Sequence, residues 1–332
     1  MNRSIVAMLA TALALAPQLA RADEPEPAEP RVLETVVVSG VQPGPGLWKV
    51  RHGEHVMYVL GTLQPLPRRM TWEAREVIDA IARSGEVVLR PGAEISIAGG
   101  PLRGLFLLPS LLSARNNPDE RKLAEVVPAD DYARWQALKA QYRLRDGSVE
   151  KRRPIVAAYA LYEQAIERSG MSFKDVVTRV VKRAAKRHDV PITEPIVTVK
   201  IEEPKAAVKS LKRTEFDDLE CFRRTLTRLE SDVETMKLRG NAWATGDVIS
   251  LKELPYTDQN RACLDAVLGA GVTAQAGLGD LEARVDAAWL EAAEAALGKH
   301  AVSFAVLPVG DILDPEGYLE TLRARGYVIE SP

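Results

Sequence analysis

Short apolar runs separated by turn residues predict strands near the N-terminal end of the chain. Residues 47–51 and 56–60 flank the sequence His52-Gly53-Glu54-His55, which is typical of a hairpin closed by a glycine-containing turn. From Thr71, apolar residues recur at helical spacing until Ser84-Gly85, and Thr71 is the expected helix cap. Residues 86–90 then predict another strand. A strand, a helix and a strand in this order indicate an α/β crossover unit.

Helical periodicity dominates the middle of the chain, and strand patterns return at its end. Pro154 is expected to open one helix, and Ser172 with Asp175 is expected to cap the next. Further helices are predicted at 215–239, 257–268, 281–297 and 315–325, and strands at 190–199, 301–307 and 327–329. The expected fold class is therefore α/β, with a mixed sheet from the N- and C-terminal segments and a large helical insertion at about 101–300.

The first 22 residues have the composition of a cleavable signal peptide. Arg3 precedes an apolar run at 5–16, and Ala20-Arg21-Ala22 is a cleavage motif. Residues 23–45 begin with alternating acidic residues and prolines and predict a disordered tether that contains a short strand. The folded domain is expected at 46–332. These features predict a periplasmic or secreted location with no transmembrane segment in the mature chain.

Composition narrows the classes of function. The formal net charge is −2 and 46% of the residues are hydrophobic, which favours a folded domain without a general nucleic-acid surface. We therefore expect no nucleic-acid partner, while the ligand or envelope partner stays unknown. The two cysteines, Cys221 and Cys263, are expected to form a disulfide bond because an exported chain reaches an oxidising compartment.

Three segments of the chain, 46–63, 82–89 and 319–328, resemble the TraB/GumN family in order and spacing. Between them, several residues fall where that family has similar ones: Arg153-Pro154, Glu194, Ala244-Thr245-Gly246-Asp247, Arg284 and Trp289. The resemblance implies an α/β fold with two related halves, each with a GxxH motif after a strand. It also implies a divalent metal and, in some members, metal-dependent hydrolase or peptidase activity.

This sequence departs from the family at each expected site position. Gln64 and Asp311 replace the histidines of the two GxxH motifs, and Arg90 replaces an acidic residue at the end of a strand. Gln64 is a poor ligand for a transition metal, and Arg90 would compete for the Asp311 carboxylate. We therefore predict no metal cofactor and a degenerate pocket of Gln64, Arg90, Asp311 and Glu194. An ion pair or hydrogen bonds inside it would replace the metal, although these could also be ordinary loop residues.

Three functions remain open at this point. The first is a non-catalytic binding or scaffold protein with a degenerate site, which makes the chain a candidate pseudoenzyme rather than an enzyme. The second is a metal-dependent hydrolase or peptidase whose site is rebuilt around Asp311 and neighbouring acids. The third is an envelope interaction module in which residues 33–40 add a strand to the sheet of a partner. The cations between Lys174 and His188 alternate with apolar residues and indicate a solvated helix face.

Overall fold

The fold is known from a computed structural model, which describes residues 35–98, 100–213, 218–254, 263 and 279–332. The predicted signal peptide, the first part of the predicted tether and most of the predicted helix at 257–268 lie outside the described residues. No helix in the described ranges is long and apolar enough to cross a membrane.

Twelve strands are present in the described part of the chain. They are β1 (Gly40–Gln42), β2 (Leu47–His52), β3 (His55–Thr62), β4 (Leu66–Pro67), β5 (Met70–Trp72), β6 (Val87–Val88), β7 (Gly92–Ile97), β8 (Met171–Ser172), β9 (Ile192–Thr193), β10 (Ile196–Ile201), β11 (Val302–Pro308) and β12 (Val328–Glu330).

The α-helices occupy mainly the middle of the sequence. They are α1 (Arg75–Ala82), α2 (Gly100–Ala114), α3 (Leu123–Val126), α4 (Ala129–Gln141), α5 (Pro154–Arg168), α6 (Val177–Arg187), α7 (Pro204–Arg213), α8 (Leu219–Ser231), α9 (Val233–Thr245), α10 (Val248–Glu253), α11 (Leu281–Lys299), α12 (Val309–Leu313) and α13 (Tyr318–Ala324).

The main sheet has six strands in the order β12-β2-β3-β11-β6-β9. Strand β2 pairs antiparallel with both β12 and β3, whereas β3, β11, β6 and β9 run parallel to one another. N- and C-terminal strands therefore meet in one mixed sheet, as the sequence predicts, and β9 adds one short strand from the middle of the chain. Gly53 has φ +58° in the β2–β3 turn, a left-handed conformation that favours glycine.

Helices cover both faces of this sheet. Along β11, Phe304 and Val306 belong to the core on the side of α1 and α6, whereas Ala305 and Leu307 belong to the core on the side of α11 and α13. Side chains of a strand alternate between faces, so a strand that is buried on both faces is apolar at every position. Accordingly, β11 is apolar at every position except Ser303, which is also buried.

The helical middle has a core of its own. Trp135 of α4, Leu161 of α5 and Phe222 of α8 are fully buried in it. The predicted disulfide is confirmed: Cys221 on α8 is bonded to Cys263, with their Cα atoms 4.6 Å apart.

Several predicted element boundaries are wrong because partners distant in sequence decide them. Residue Thr71 does not cap a helix: it lies in β5, which pairs in parallel with β1. Helix α1 starts at Arg75. Two helices, α8 and α9, replace the predicted helix at 215–239, whereas α13 lies within the predicted range 315–325. The cap of α6 is Asp175, whose Oδ1 accepts the N–H groups of Val177 and Thr178.

The predicted tether at 23–45 is ordered over its last part. The N–H of Thr35 donates to Glu234 Oε2 at 2.8 Å, and the N–H of Val38 donates to Asn241 Oδ1 at 2.9 Å. The Asn241 amide in turn donates to the carbonyl of Val36. These contacts with α9, and the pairing of β1 with β5, make residues 35–45 part of one compact unit that extends from Thr35 to Pro332.

Candidate functional site

The two sequence segments that resemble GxxH motifs emerge at the same edge of the sheet. Strands β3 and β11 are parallel neighbours, and Thr62 lies opposite Pro308 at their carboxyl ends. The Thr62 hydroxyl donates to the carbonyl of Leu307 at 3.3 Å and ties the two ends together. Gln64 and Asp311 follow these ends within three residues. The carboxyl edge of parallel strands is the usual place for a site in α/β folds.

Two buried tryptophans hold the strand ends in place. Trp243 of α9 donates its indole N–H to the carbonyl of Gly61 at 2.9 Å, and Trp289 of α11 donates to the carbonyl of Leu89 at 3.1 Å. Gly61 leaves no room for a larger residue, because an added Cβ would lie 2.6 Å from Val309 Cγ2. The helices thus fix the backbone immediately before Gln64 and Arg90.

A cavity of about 480 Å³ opens at this edge. Its wall contains charged and amide groups from five parts of the chain: Gln64, Arg90, Asp175, Arg228, Asp311 and Asp314. Three of the four residues predicted for a pocket, Gln64, Arg90 and Asp311, therefore line one cavity. Whether they act together in function stays a prediction.

Glu194, the fourth residue predicted for the pocket, is not part of the cavity wall. It follows β9 and forms an ion pair with Lys182 of α6, with 2.6 Å between Glu194 Oε1 and Lys182 Nζ. Both side chains are about half exposed, so the pair is a surface contact of small energetic effect. The resemblance to the family suggested Glu194 for the pocket, but this residue follows β9, the edge strand of the sheet.

The predicted internal replacement for a metal is only partly present. The Gln64 amide donates to the carbonyl of Phe173 at 3.0 Å, so it is engaged with the backbone before α6. Arg90 is exposed and, within the described ranges, makes no hydrogen bond or ion pair. Arg90 and Asp311 therefore do not form an ion pair with each other in this structure, and the role of the pocket stays a prediction. An exposed pair gains little because water already solvates both charges.

The three carboxylates of the cavity differ in their contacts. Asp175 is occupied by the N-terminus of α6, as described above, and Asp314 Oδ1 accepts the N–H of Glu316 at 2.9 Å. Asp311 lies partly buried in the first turn of α12. Its negative charge reaches Tyr318, whose pKa is raised by burial, by its hydrogen bond to Asp286 and by the charges of Asp286 and Asp311.

The donor set does not fit a divalent transition metal. No group of three or more histidine, cysteine, aspartate or glutamate side chains in the described part of the chain is close enough to share a metal ion. In the cavity itself, one potential ligand is an amide and two of the three carboxylates cap backbone N–H groups. Zinc and related metals require imidazole, thiolate or carboxylate ligands arranged around one point.

Sequence reasoning missed Arg228 as a cavity residue. Its guanidinium lies 5.4 Å from the centre of the Tyr162 ring, and its Nε donates to Asp232 Oδ2 at 3.3 Å. The i, i+4 spacing of Arg228 and Asp232 indicates their ion pair, but nothing in the sequence indicates that α8 reaches the strand ends.

Comparison with known proteins identifies the family. No curated protein and no solved structure matches the chain. A sequence model of the TraB/PrgY/gumN family matches residues 46–331, which is most of the chain and agrees with the resemblance found in the three segments. The chain belongs to the TraB/PrgY/gumN family.

Proposed function

We propose that this protein binds a small polar ligand in the cavity at the strand ends and does not catalyse a metal-dependent reaction. The observation that carries the proposal is the donor set of the cavity, in which Gln64, the capping role of Asp175 and the absence of a grouped ligand set among described residues oppose metal binding. Without a metal, no bound water acquires the lowered pKa that a metal-dependent hydrolase uses at neutral pH.

The charges of the wall indicate the chemistry of the ligand. Arg90 offers a guanidinium that is not engaged by any described residue. Asp311 and Asp314, in the segment after β11, contribute negative charge to the wall of the same cavity. A guanidinium binds a carboxylate or phosphate through two parallel hydrogen bonds. A cavity of about 480 Å³ suits a small molecule that carries groups of both signs.

The alternative of a hydrolase with a rebuilt site has one observation in its favour. Three carboxylates, Asp175, Asp311 and Asp314, line the same cavity, and carboxylates bind hard cations. Asp175 and Asp314 each accept backbone N–H groups through Oδ1, so a rebuilt site would have to use their Oδ2 atoms.

The alternative of an interaction module loses support from the contacts of residues 35–40. A segment that adds a strand to a partner sheet needs free backbone groups. Here the N–H groups of Thr35 and Val38 and the carbonyl of Val36 are bonded to side chains of α9.

Ligand binding is tested by thermal shift with a panel of amino acids, dipeptides, sugar acids and amines. A bound compound should raise the melting temperature in proportion to the logarithm of its concentration. The Arg90→Gln variant should lose the shift, whereas Arg187→Gln, which removes an exposed cation from α6, should retain it. Equal shifts in both variants would place the ligand elsewhere, and metal-stimulated hydrolysis of a panel member would favour the hydrolase.

We also infer that the protein is exported and that the mature chain begins at Asp23. The inference rests on the charged, apolar and small-residue parts of the first 22 residues, and the Cys221–Cys263 disulfide agrees with an oxidising compartment. Intact-mass measurement of protein recovered from the periplasm decides it, since a mass that includes residues 1–22 would contradict export.

A further inference from the structure

Between Phe106 and Leu112, the exposed side chains of α2 are apolar. Phe106, Leu108 and Leu112 are 83%, 47% and 51% exposed, whereas Leu107 and Ala114 are buried on the opposite face. No charged residue occurs between positions 104 and 114. An exposed face of a helix in a water-soluble domain is normally polar, so this face is unusual.

Exposed apolar residues continue from α2 onto the adjoining two-stranded sheet. Strands β7 and β10 pair in parallel, and β7 packs against α2. Ile95 of β7 is 68% exposed and lies on the same face of this sheet as its pairing partner Val199 of β10. The exposed apolar residues Ile95, Phe106, Leu108 and Leu112 are called the apolar arm below.

A stripe of lysines lies on the helix that packs against α2. Lys205, Lys209 and Lys212 of α7 are spaced by four and three residues and therefore share one side of the helix. None of the three forms an ion pair with a described residue. The helix α7 contains no acidic residue to neutralise them.

We propose that the apolar arm and the α7 lysines dock the protein on the surface of an anionic lipid bilayer. Exposed Phe and Leu side chains on α2, with cations on the helix packed against it, match the two layers of such a surface. These layers are the acyl boundary and the anionic headgroups. The charge selects this partner, because an apolar protein surface would gain nothing from three unpaired lysines.

Helix α6 also has exposed cations but no exposed apolar face, so it serves as a comparison for α7. Arg179, Arg183 and Lys186 are exposed on α6, but the apolar residues of that helix, such as Val181 and Ala185, are buried in the main core. Cations on α6 therefore lack an exposed apolar neighbour on their own helix. The two helices give a matched pair for experiment, with equal charge and different surroundings.

Vesicle sedimentation tests the proposal with the full chain as recovered from the expressing cell. Wild-type protein should bind vesicles of phosphatidylcholine with added phosphatidylglycerol and should not bind pure phosphatidylcholine. Phe106→Ser should weaken binding roughly tenfold, since it removes most of one buried aromatic side chain. The triple variant K205Q/K209Q/K212Q should weaken it at least roughly tenfold.

The matched control is the triple variant R179Q/R183Q/K186Q of α6, which removes the same charge. It should bind the anionic vesicles within about twofold of wild type, because the docking charges lie on α7. An equal loss in the α6 and α7 variants would overturn the proposal and indicate general electrostatic attraction. Absence of vesicle binding, or self-association that Phe106→Ser abolishes without any lipid dependence, would also overturn it.

Discussion

Charged side chains of the cavity and of the helical middle differ in burial and in whether they form ion pairs. In the helical middle, Asp232 pairs with both Arg228 and Arg239, and all three side chains are at most 12% exposed. At the strand ends, Arg90 is exposed and has no partner among the described residues. A buried charge must be paired for the fold to be stable, whereas an exposed, unpaired charge contributes little to stability and is available to a ligand.

Arg228 belongs to both regions. It lines the cavity, yet its guanidinium is bonded to Asp232 and lies over the Tyr162 ring. Its commitment to Asp232 explains why the cavity presents Arg90, rather than Arg228, as the cation for a ligand. Replacing a buried, paired charge should therefore lower the free energy of unfolding, whereas replacing the exposed Arg90 should affect ligand binding alone.

The largest effect is expected from Asp232→Ala. This change leaves Arg228 and Arg239 without their shared carboxylate in a buried place, and it should lower the free energy of unfolding by about 3–5 kcal/mol. Urea denaturation measures it. The control is Glu220→Ala, which removes an exposed partner of Arg224 and should change stability by no more than about 0.5 kcal/mol. Equal effects in the two variants would contradict the distinction.

The disulfide of the helical middle should have the next largest effect. Replacing Cys221 and Cys263 together by serine removes a cross-link between residues 42 positions apart, and the expected loss is about 2–4 kcal/mol. Denaturation of the double variant beside wild type gives the value. Thiol counting under denaturing, non-reducing conditions should find no free thiol in wild type, and two free thiols would contradict the bond.

The Glu150 cluster should make stability depend on pH. Burial would raise the pKa of Glu150, but hydrogen bonds from Lys139, Trp135 and Gln136 outweigh it and hold this pKa below its ordinary value. A lowered pKa in the folded state stabilises the protein above the ordinary value of 4.5, and this stabilisation is lost as the pH falls through the folded-state pKa.

Glu150→Gln should therefore be less stable than wild type at pH 7, and the difference should shrink as the pH falls below 4.5. Melting temperatures of the two proteins across this pH range measure the effect. A difference that stays constant with pH would show that the charge of Glu150 contributes nothing.

The smallest effect on stability is expected from Arg90→Gln. Because Arg90 is exposed and lacks a described partner, its replacement should change the free energy of unfolding by no more than about 0.5 kcal/mol. The same variant should lose ligand binding. A loss of stability comparable with that of Asp232→Ala would show that Arg90 has a structural role.

Periodicity predicted those elements whose burial is continuous. The apolar run of β11 and the long amphipathic α11 are both where the sequence placed them, because each buries its own side chains against the sheet. Boundaries failed where a distant partner decides the backbone conformation. Thr71 is in a strand because β1, about thirty residues earlier, pairs with it. Local spacing contains no information on that pairing.

In the candidate site too, local sequence predicted some residues, while the packing of distant elements decided others. Gln64 and Asp311 could be placed together from sequence, since each follows a strand and the resemblance relates the two strands. Arg228 could not, because its place at the cavity depends on how α8 packs against the sheet. Arg90 and Asp311 line one cavity without pairing with each other, and an exposed pair would gain little because water solvates both charges.

Metal content tests the central claim most directly. Protein purified without chelators or a histidine tag should contain no stoichiometric zinc, manganese or cobalt on elemental analysis, and adding each metal should leave the melting temperature unchanged. This result follows from Gln64 in place of an imidazole and from carboxylates that cap backbone N–H groups. One metal per chain, lost together with stability in Asp311→Ala, would contradict the account and establish a rebuilt metal site.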